Sequence, residues 1–245
     1  MSPALRDRDA GGASWDEGSA VMVSERRDPP FVGSVVFLLM NLPLGVLAFA
    51  LLTSFVSAGA GTAVVWVGVG LLALVVLAVR GAARLERARV YALLDRYIDL
   101  PYLPLPVGKQ AVRWKGRLKD PSTWRDLAYF ALLFPVGLVE FVLVTSFWAS
   151  SLALVGLPVY FRWLPGGEYH FPAWEVPWLT VDSTVEALPW AALGVLFVAL
   201  SVALTKALAG MHARLAYALL GPTVAQRRRM ERWWEDAEQK NLVAG

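Results

Sequence analysis

The sequence predicts an all-α, polytopic membrane protein with four transmembrane helices, and three observations carry that prediction. Apolar residues make up 57% of the 245 and mean hydropathy is +0.50, against roughly 45–50% apolar in soluble domains. Four stretches, at residues 31–58, 62–79, 127–155 and 188–204, supply close to the ~20 apolar residues that a bilayer-spanning helix needs. The third observation is a repeat. Leu42-Pro43-Leu44-Gly45, with Phe49 and Thr53-Ser54-Phe55, returns at identical spacing as Phe134-Pro135-Val136-Gly137, with Phe141 and Thr145-Ser146-Phe147. Two parallel two-helix repeats are therefore expected.

Residues 1–30 are polar, rich in Arg, Asp and Glu and without a short apolar core near the start. They read as a disordered cytoplasmic tail rather than a signal peptide. Residues 31–97 read as the first transmembrane hairpin followed by an amphipathic extension that begins at Arg80. Leu85, Val90, Leu93 and Leu94 fall towards one side of that extension, and Arg84, Glu86 and Arg87 mostly on the other. This is the pattern of a helix along the inner surface, serving as an anchor or as a coupling element. Pro43 and Pro135 each lack a backbone donor and are expected to kink their helices, while Gly45 and Gly137 permit close helix contact.

Residues 98–126 read as a basic cytoplasmic linker on anionic lipid, with Lys109, Arg113, Lys115, Arg117 and Lys119 around Trp114. Then Asp120-Pro121-Ser122-Thr123-Trp124-Arg125-Asp126-Leu127-Ala128-Tyr129 offers Asp or Ser to cap a helix start and Trp and Tyr for the interface. Residues 127–222 read as the second hairpin with an outer loop at 157–189, and 223–245 as a basic tail. Of the 23 Lys and Arg, only Arg162 lies outside the tails, the linker and the two extensions. The positive-inside rule then places both termini in the cytoplasm of a multi-pass plasma-membrane protein. The net charge of +3 reflects that orientation, and nucleic acid is not expected as a partner.

The Leu-Pro-Leu-Gly and Phe-Pro-Val-Gly motifs, the Asp120–Tyr129 run and the Tyr217-Ala-Leu-Leu-Gly-Pro222 exit resemble the sensor domain of actinobacterial two-component sensor histidine kinases. The resemblance covers about residues 31–222. It implies a four-helix transmembrane module placed ahead of a cytoplasmic kinase and sensing a membrane or envelope signal, with no ligand specified. It also implies a homodimer, and a cytoplasmic kinase or response regulator as partner. Residues 226–245 are similar to the phosphoacceptor box of such kinases: Arg227, Arg228, Arg229, Glu231, Arg232, Asp236, Gln239 and Leu242–Ala244 match in order. Glu235 stands where the phosphorylated His belongs, and a carboxylate cannot replace the imidazole nucleophile. No nucleotide-binding domain is expected after Gly245. The tail is thus either a remnant that pairs with an intact kinase or an arginine-rich amphipathic helix.

Other chemistry is sparse. Glu140 falls mid-span where its repeat counterpart is Ala48, and an ionisable group at that depth is costly unless protonated, paired or facing water. Asn41 is placed to share a hydrogen bond with it. Glu140 is either a satisfied structural group or a ligand- or proton-responsive site. The outer loop gathers Trp163, Tyr169, Trp174 and Trp178 among prolines that suppress regular structure. These aromatics form either an interfacial belt or a lid over an amphiphile pocket. Glu168 with His170 falls short of a metal ligand set, and His212 is expected to face solvent or head groups. Cysteine is absent. No catalytic constellation assembles, so neither enzyme activity, cofactor nor metal is expected. A membrane-embedded sensor lacking its own kinase, a small transporter or ligand-binding protein, and a structural membrane protein remain as function classes.

Overall fold

The computed structural model describes residues 29–102, 110–171 and 179–244. Residues 1–28, residues 103–109 of the linker, and Trp174 and Trp178 of the outer loop lie outside the described residues. The elements run α1 (Phe31–Gly61), α2 (Val67–Leu94), α3 (Gln110–Lys119), α4 (Pro121–Tyr160), β1 (Tyr169–Phe171), β2 (Leu179–Val181), α5 (Thr184–Leu220) and α6 (Val224–Ala244). Four of them, α1, α2, α4 and α5, are long and apolar enough to cross a membrane. The protein is an all-α, multi-pass membrane fold.

All four spanning helices overrun the apolar stretches read from sequence, because hydrogen bonding carries a helix beyond the bilayer as long as its side chains find partners. The stretches read as surface-lying extensions are the continuous last turns of α2 and α5. The expected faces of the first one are also overturned. Leu85 is 74% exposed, while Glu86 and Arg87 are buried beside Val90 and Leu94. Polar residues point inward here because they meet one another inside the bundle.

At the centre α1 and α4 touch through the two repeat glycines. A Cβ on Gly45 would lie 2.8 Å from Phe134 Cα, and one on Gly137 would lie 2.8 Å from the Asn41 carbonyl oxygen. The contacts are reciprocal: Asn41 precedes Gly45 by the same step by which Leu133 precedes Gly137. Only glycine allows backbones to approach this closely, the usual means of helix association where lipid removes the hydrophobic drive. Both α1 and α4 continue as unbroken helices through their prolines.

The linker contains α3, and α4 starts inside it at Pro121. Asp120 caps α4 by accepting from the Ser122 N–H at 3.0 Å. The first turn of α4 in turn satisfies the end of α3: Thr123 Oγ1 donates to the Arg117 carbonyl and Trp124 Nε1 to that of Leu118. Trp124 is exposed as expected of an interfacial residue, but Tyr129 is fully buried. At the opposite end, β1 and β2 form an antiparallel ribbon with His170 opposite Thr180, so the prolines of the outer loop do not abolish regular structure. A small core of Leu157, Phe161, Val181 and Ala187 seats it on α4 and α5.

Candidate functional site, a buried polar ring across four helices

One closed circuit of hydrogen bonds joins all four spanning helices near the basic end. From α1, Asn41 Nδ2 donates to Glu140 Oε2 at 2.6 Å, and its Oδ1 accepts from Arg89 Nη2 at 2.7 Å. On α2, Arg89 holds Glu86 through Nε (2.9 Å) and Nη2 (2.5 Å). From α4, the Tyr129 hydroxyl donates to Glu86 Oε1 at 2.7 Å and lies 3.0 Å from His212 Nε2 of α5. His212 Nδ1 closes the ring, 2.8 Å from Glu140 Oε1. Phe37 screens it: the Arg89 guanidinium lies 4.1 Å over the Phe37 ring, and His212 meets the same ring edge-on.

The partners assign the protons. The Tyr129 hydroxyl has one proton and Glu86 accepts it, which leaves His212 Nε2 to donate to the Tyr129 oxygen. At Nδ1 the neighbours are the Glu140 carboxylate at 2.8 Å and the Asn41 amide nitrogen at 3.1 Å. Arg89 is thus paired with Glu86, and Asn41 and His212 enclose Glu140. So enclosed a site requires every polar group to be partnered, with Glu140 and His212 each 1% exposed. Among the described residues no group of three or more His, Asp or Glu is placed to hold a metal ion. The site links titratable side chains of four helices by hydrogen bonds, so its geometry depends on the relative positions of those helices.

Directly towards the basic end lies a second set of contacts. Arg87, adjacent to Glu86, donates to the Leu220 carbonyl from Nε (3.0 Å) and Nη2 (2.9 Å), and lies 3.3 Å from Asp126. Asp126 also accepts from the Tyr102 hydroxyl at 2.5 Å. Burial and the neighbouring Asp126 carboxylate push the Tyr102 phenol up to about 12, keeping it a neutral donor. Arg80 pairs with Asp120 and lies 4.3 Å over the Tyr102 ring. Arg125 donates to the Ala218 carbonyl and to Gln226 Oε1. The Trp-Arg-Asp start of α4 and the Tyr-Ala-Leu-Leu exit of α5 are thus two halves of one joint. Arginines satisfy the last carbonyls of α5, where the helix dipole favours positive charge.

That joint also fixes the start of α6. Thr223 and Gln226 form a reciprocal capping box: the Gln226 N–H donates to Thr223 Oγ1 (3.2 Å) and the Thr223 N–H to Gln226 Oε1 (2.8 Å). Gln226 Nε2 then reaches Ser122 Oγ of α4 at 2.6 Å. Beyond it Arg227, Arg228, Arg229, Arg232 and Glu235 are exposed, with Arg227 bonded to the Tyr217 hydroxyl.

Of the residues singled out from sequence, Asn41 and Glu140 meet in the ring. Trp163, exposed on a single 3₁₀ turn, and Tyr169, packed on Tyr160, belong to the ribbon end. Twenty residues of helix, about 30 Å, separate Tyr160 from Glu140. His212 is a correction, since it lies inside the bundle and not among head groups. Glu86, Arg89 and Tyr129 were missed as well. A signal existed: the buried stripe Val75, Val79, Ala83 continues at helical spacing through Glu86 to Val90. A family model described as "Putative sensor" matches residues 37–220, a stretch containing every residue of the ring. No curated protein and no solved structure matches the chain.

Proposed function

The chain belongs to the Putative sensor family, and from that premise we propose that it is a membrane-embedded sensing module that couples an envelope or membrane signal to a cytoplasmic partner, with no kinase activity of its own. One observation carries this reading. The ring across four helices is stacked on the joint that holds the first turn of α6, and the two layers share α2, α4 and α5 through neighbouring residues. A signal that changes the ring shifts these helices, and α6 is the element that moves with them. Its exposed Arg227, Arg228, Arg229, Arg232 and Glu235 are the surface for an intact kinase or a response regulator, with a homodimer as the working assembly. The concentration of Lys and Arg at the α6 end supports cytoplasmic termini in the plasma membrane.

The absence of cysteine makes a direct test clean. Spin labels on Lys119→Cys and Glu238→Cys, in the full chain in lipid nanodiscs, report the position of α6 relative to α3. Glu140→Gln should shift or broaden that distance distribution. Identical distributions in two equally helical proteins would overturn the reading. Orientation has its own check, since a reporter active only outside the cytoplasm and fused after Gly108 should be silent.

A further inference from the structure

Between α1 and α2, against α4, runs an apolar groove of about 630 Å³, within the range of roughly 300–1,000 Å³ that single small ligands occupy. Leu44, Ala48 and Leu52 of α1 and Val75, Ala78 and Ala82 of α2 line it, and its one polar end is Glu86 with Arg89. From Met40 to Phe55 the α1 wall is about 22 Å long, the reach of one long acyl chain. Small residues make the groove: alanine at 48, 78 and 82 leaves space that leucine would fill.

The polar end has unspent capacity of one kind. Glu86 is taken by Arg89 and Tyr129, and Arg89 Nε and Nη2 are taken by Glu86 and Asn41. Arg89 Nη1 has only a long 3.4 Å contact to the Phe37 carbonyl among the described residues. A guanidinium nitrogen held only by that long contact, at the polar end of an apolar groove, favours an anionic acceptor. Arg89 sits five residues before the end of α2, about 8 Å inside the basic end. There one guanidinium nitrogen matches one small carboxylate, and the single groove between α1 and α2 takes one acyl chain.

We propose that the groove between α1 and α2 binds a single-chain anionic amphiphile of the long-chain fatty-acid class, with its carboxylate on Arg89 and its chain along Ala48 and Ala78. The inference rests on the sensing role proposed above and names its ligand class. A carboxylate on Nη1 competes with Glu86 and Asn41 for the guanidinium and so loosens the ring where α1, α2 and α4 meet.

The test uses the full chain in phosphatidylcholine nanodiscs with a diazirine-bearing long-chain fatty acid, adducts being mapped by mass spectrometry. Adducts should concentrate on the groove residues of α1 and α2. Unlabelled fatty acid should displace the probe at least roughly tenfold better than its methyl ester, the loss of one charge-assisted hydrogen bond. Arg89→Gln should abolish that discrimination, and because it also disturbs the ring, Ala78→Phe provides a second arm that blocks labelling by filling the groove. Uniform labelling of all lipid-facing surfaces, equal competition by acid and ester, or equal competition by a two-chain phosphatidylglycerol would each overturn the proposal. The α6 distance measurement in Glu140→Gln needs no ligand, so failure of the groove and failure of the sensing role are separable.

Discussion

Across the middle of the second hairpin, Ser151 meets Ser201 at 2.9 Å and Trp148 Nε1 donates to Thr205 at 3.2 Å. At Gly194 a Cβ would lie 2.6 Å from the Val155 nitrogen. Among the described residues, the first hairpin has close glycine contacts near its ends. Gly33 lies against the Leu93 carbonyl at the basic end, and Gly59 and Gly68 lie against each other near the turn. Between those ends the groove opens. Where lipid tails are as apolar as Leu, small residues and hydrogen bonds decide which helices touch. The difference teaches that α4 and α5 form a tightly packed frame, while α1 and α2 are pinned at two ends with a groove between them.

The comparison breaks first at the ring, which is shared by both hairpins. Replacing Glu140 with Leu removes the partner of His212 and Asn41 and should cost about 3–5 kcal/mol, read as a lowered midpoint in detergent-induced unfolding. Substituting Glu140→Gln keeps the shape and should recover much of that loss. Next in size is a matched pair of overpacking changes. Gly194→Ala forces a methyl against the α4 backbone and should destabilise by about 1–3 kcal/mol, whereas Ala78→Leu, facing the groove, should be nearly neutral by the same assay. Equal costs for the two would erase the distinction between frame and groove.

Smaller effects sharpen it. Gln226→Ala deletes half of the capping box and the bond to Ser122, and should cost about 1 kcal/mol. Hydrogen exchange should speed up in the first turn of α6 and not in α1. The smallest expected change is at Ser151 and Ser201. A double-mutant cycle to Ala should return a coupling of about 0.6 kcal/mol, the usual worth of a hydrogen bond between membrane helices.

How much of this was legible depends on the residue. The four spans were, because apolar runs of bilayer length admit few other readings. Asn41 and Glu140 were too, since a polar side chain within such a run must be satisfied by another. Glu86, Arg89 and His212 were not. They fall in stretches of mixed polarity near helix ends, where charge at the membrane edge is the ordinary expectation. Only the observation that α2 and α5 continue as packed helices turns those residues inward. The capping box of Thr223 and Gln226 was in plain sight as Thr-x-x-Gln, yet was read as part of a tail motif.

Composition and periodicity were enough to decide the solvent, the number of spanning helices and the glycines at which they touch, because these follow from transfer energies and chain geometry that act on each segment alone. The ring, the joint beneath it and the groove beside it depend on which faces of α1, α2, α4 and α5 meet. That choice is made jointly by glycine contacts and hydrogen bonds between residues up to 171 positions apart. No local pattern encodes such a pairing, and so the contact of His212 with Glu140 arises only where four helices stand together.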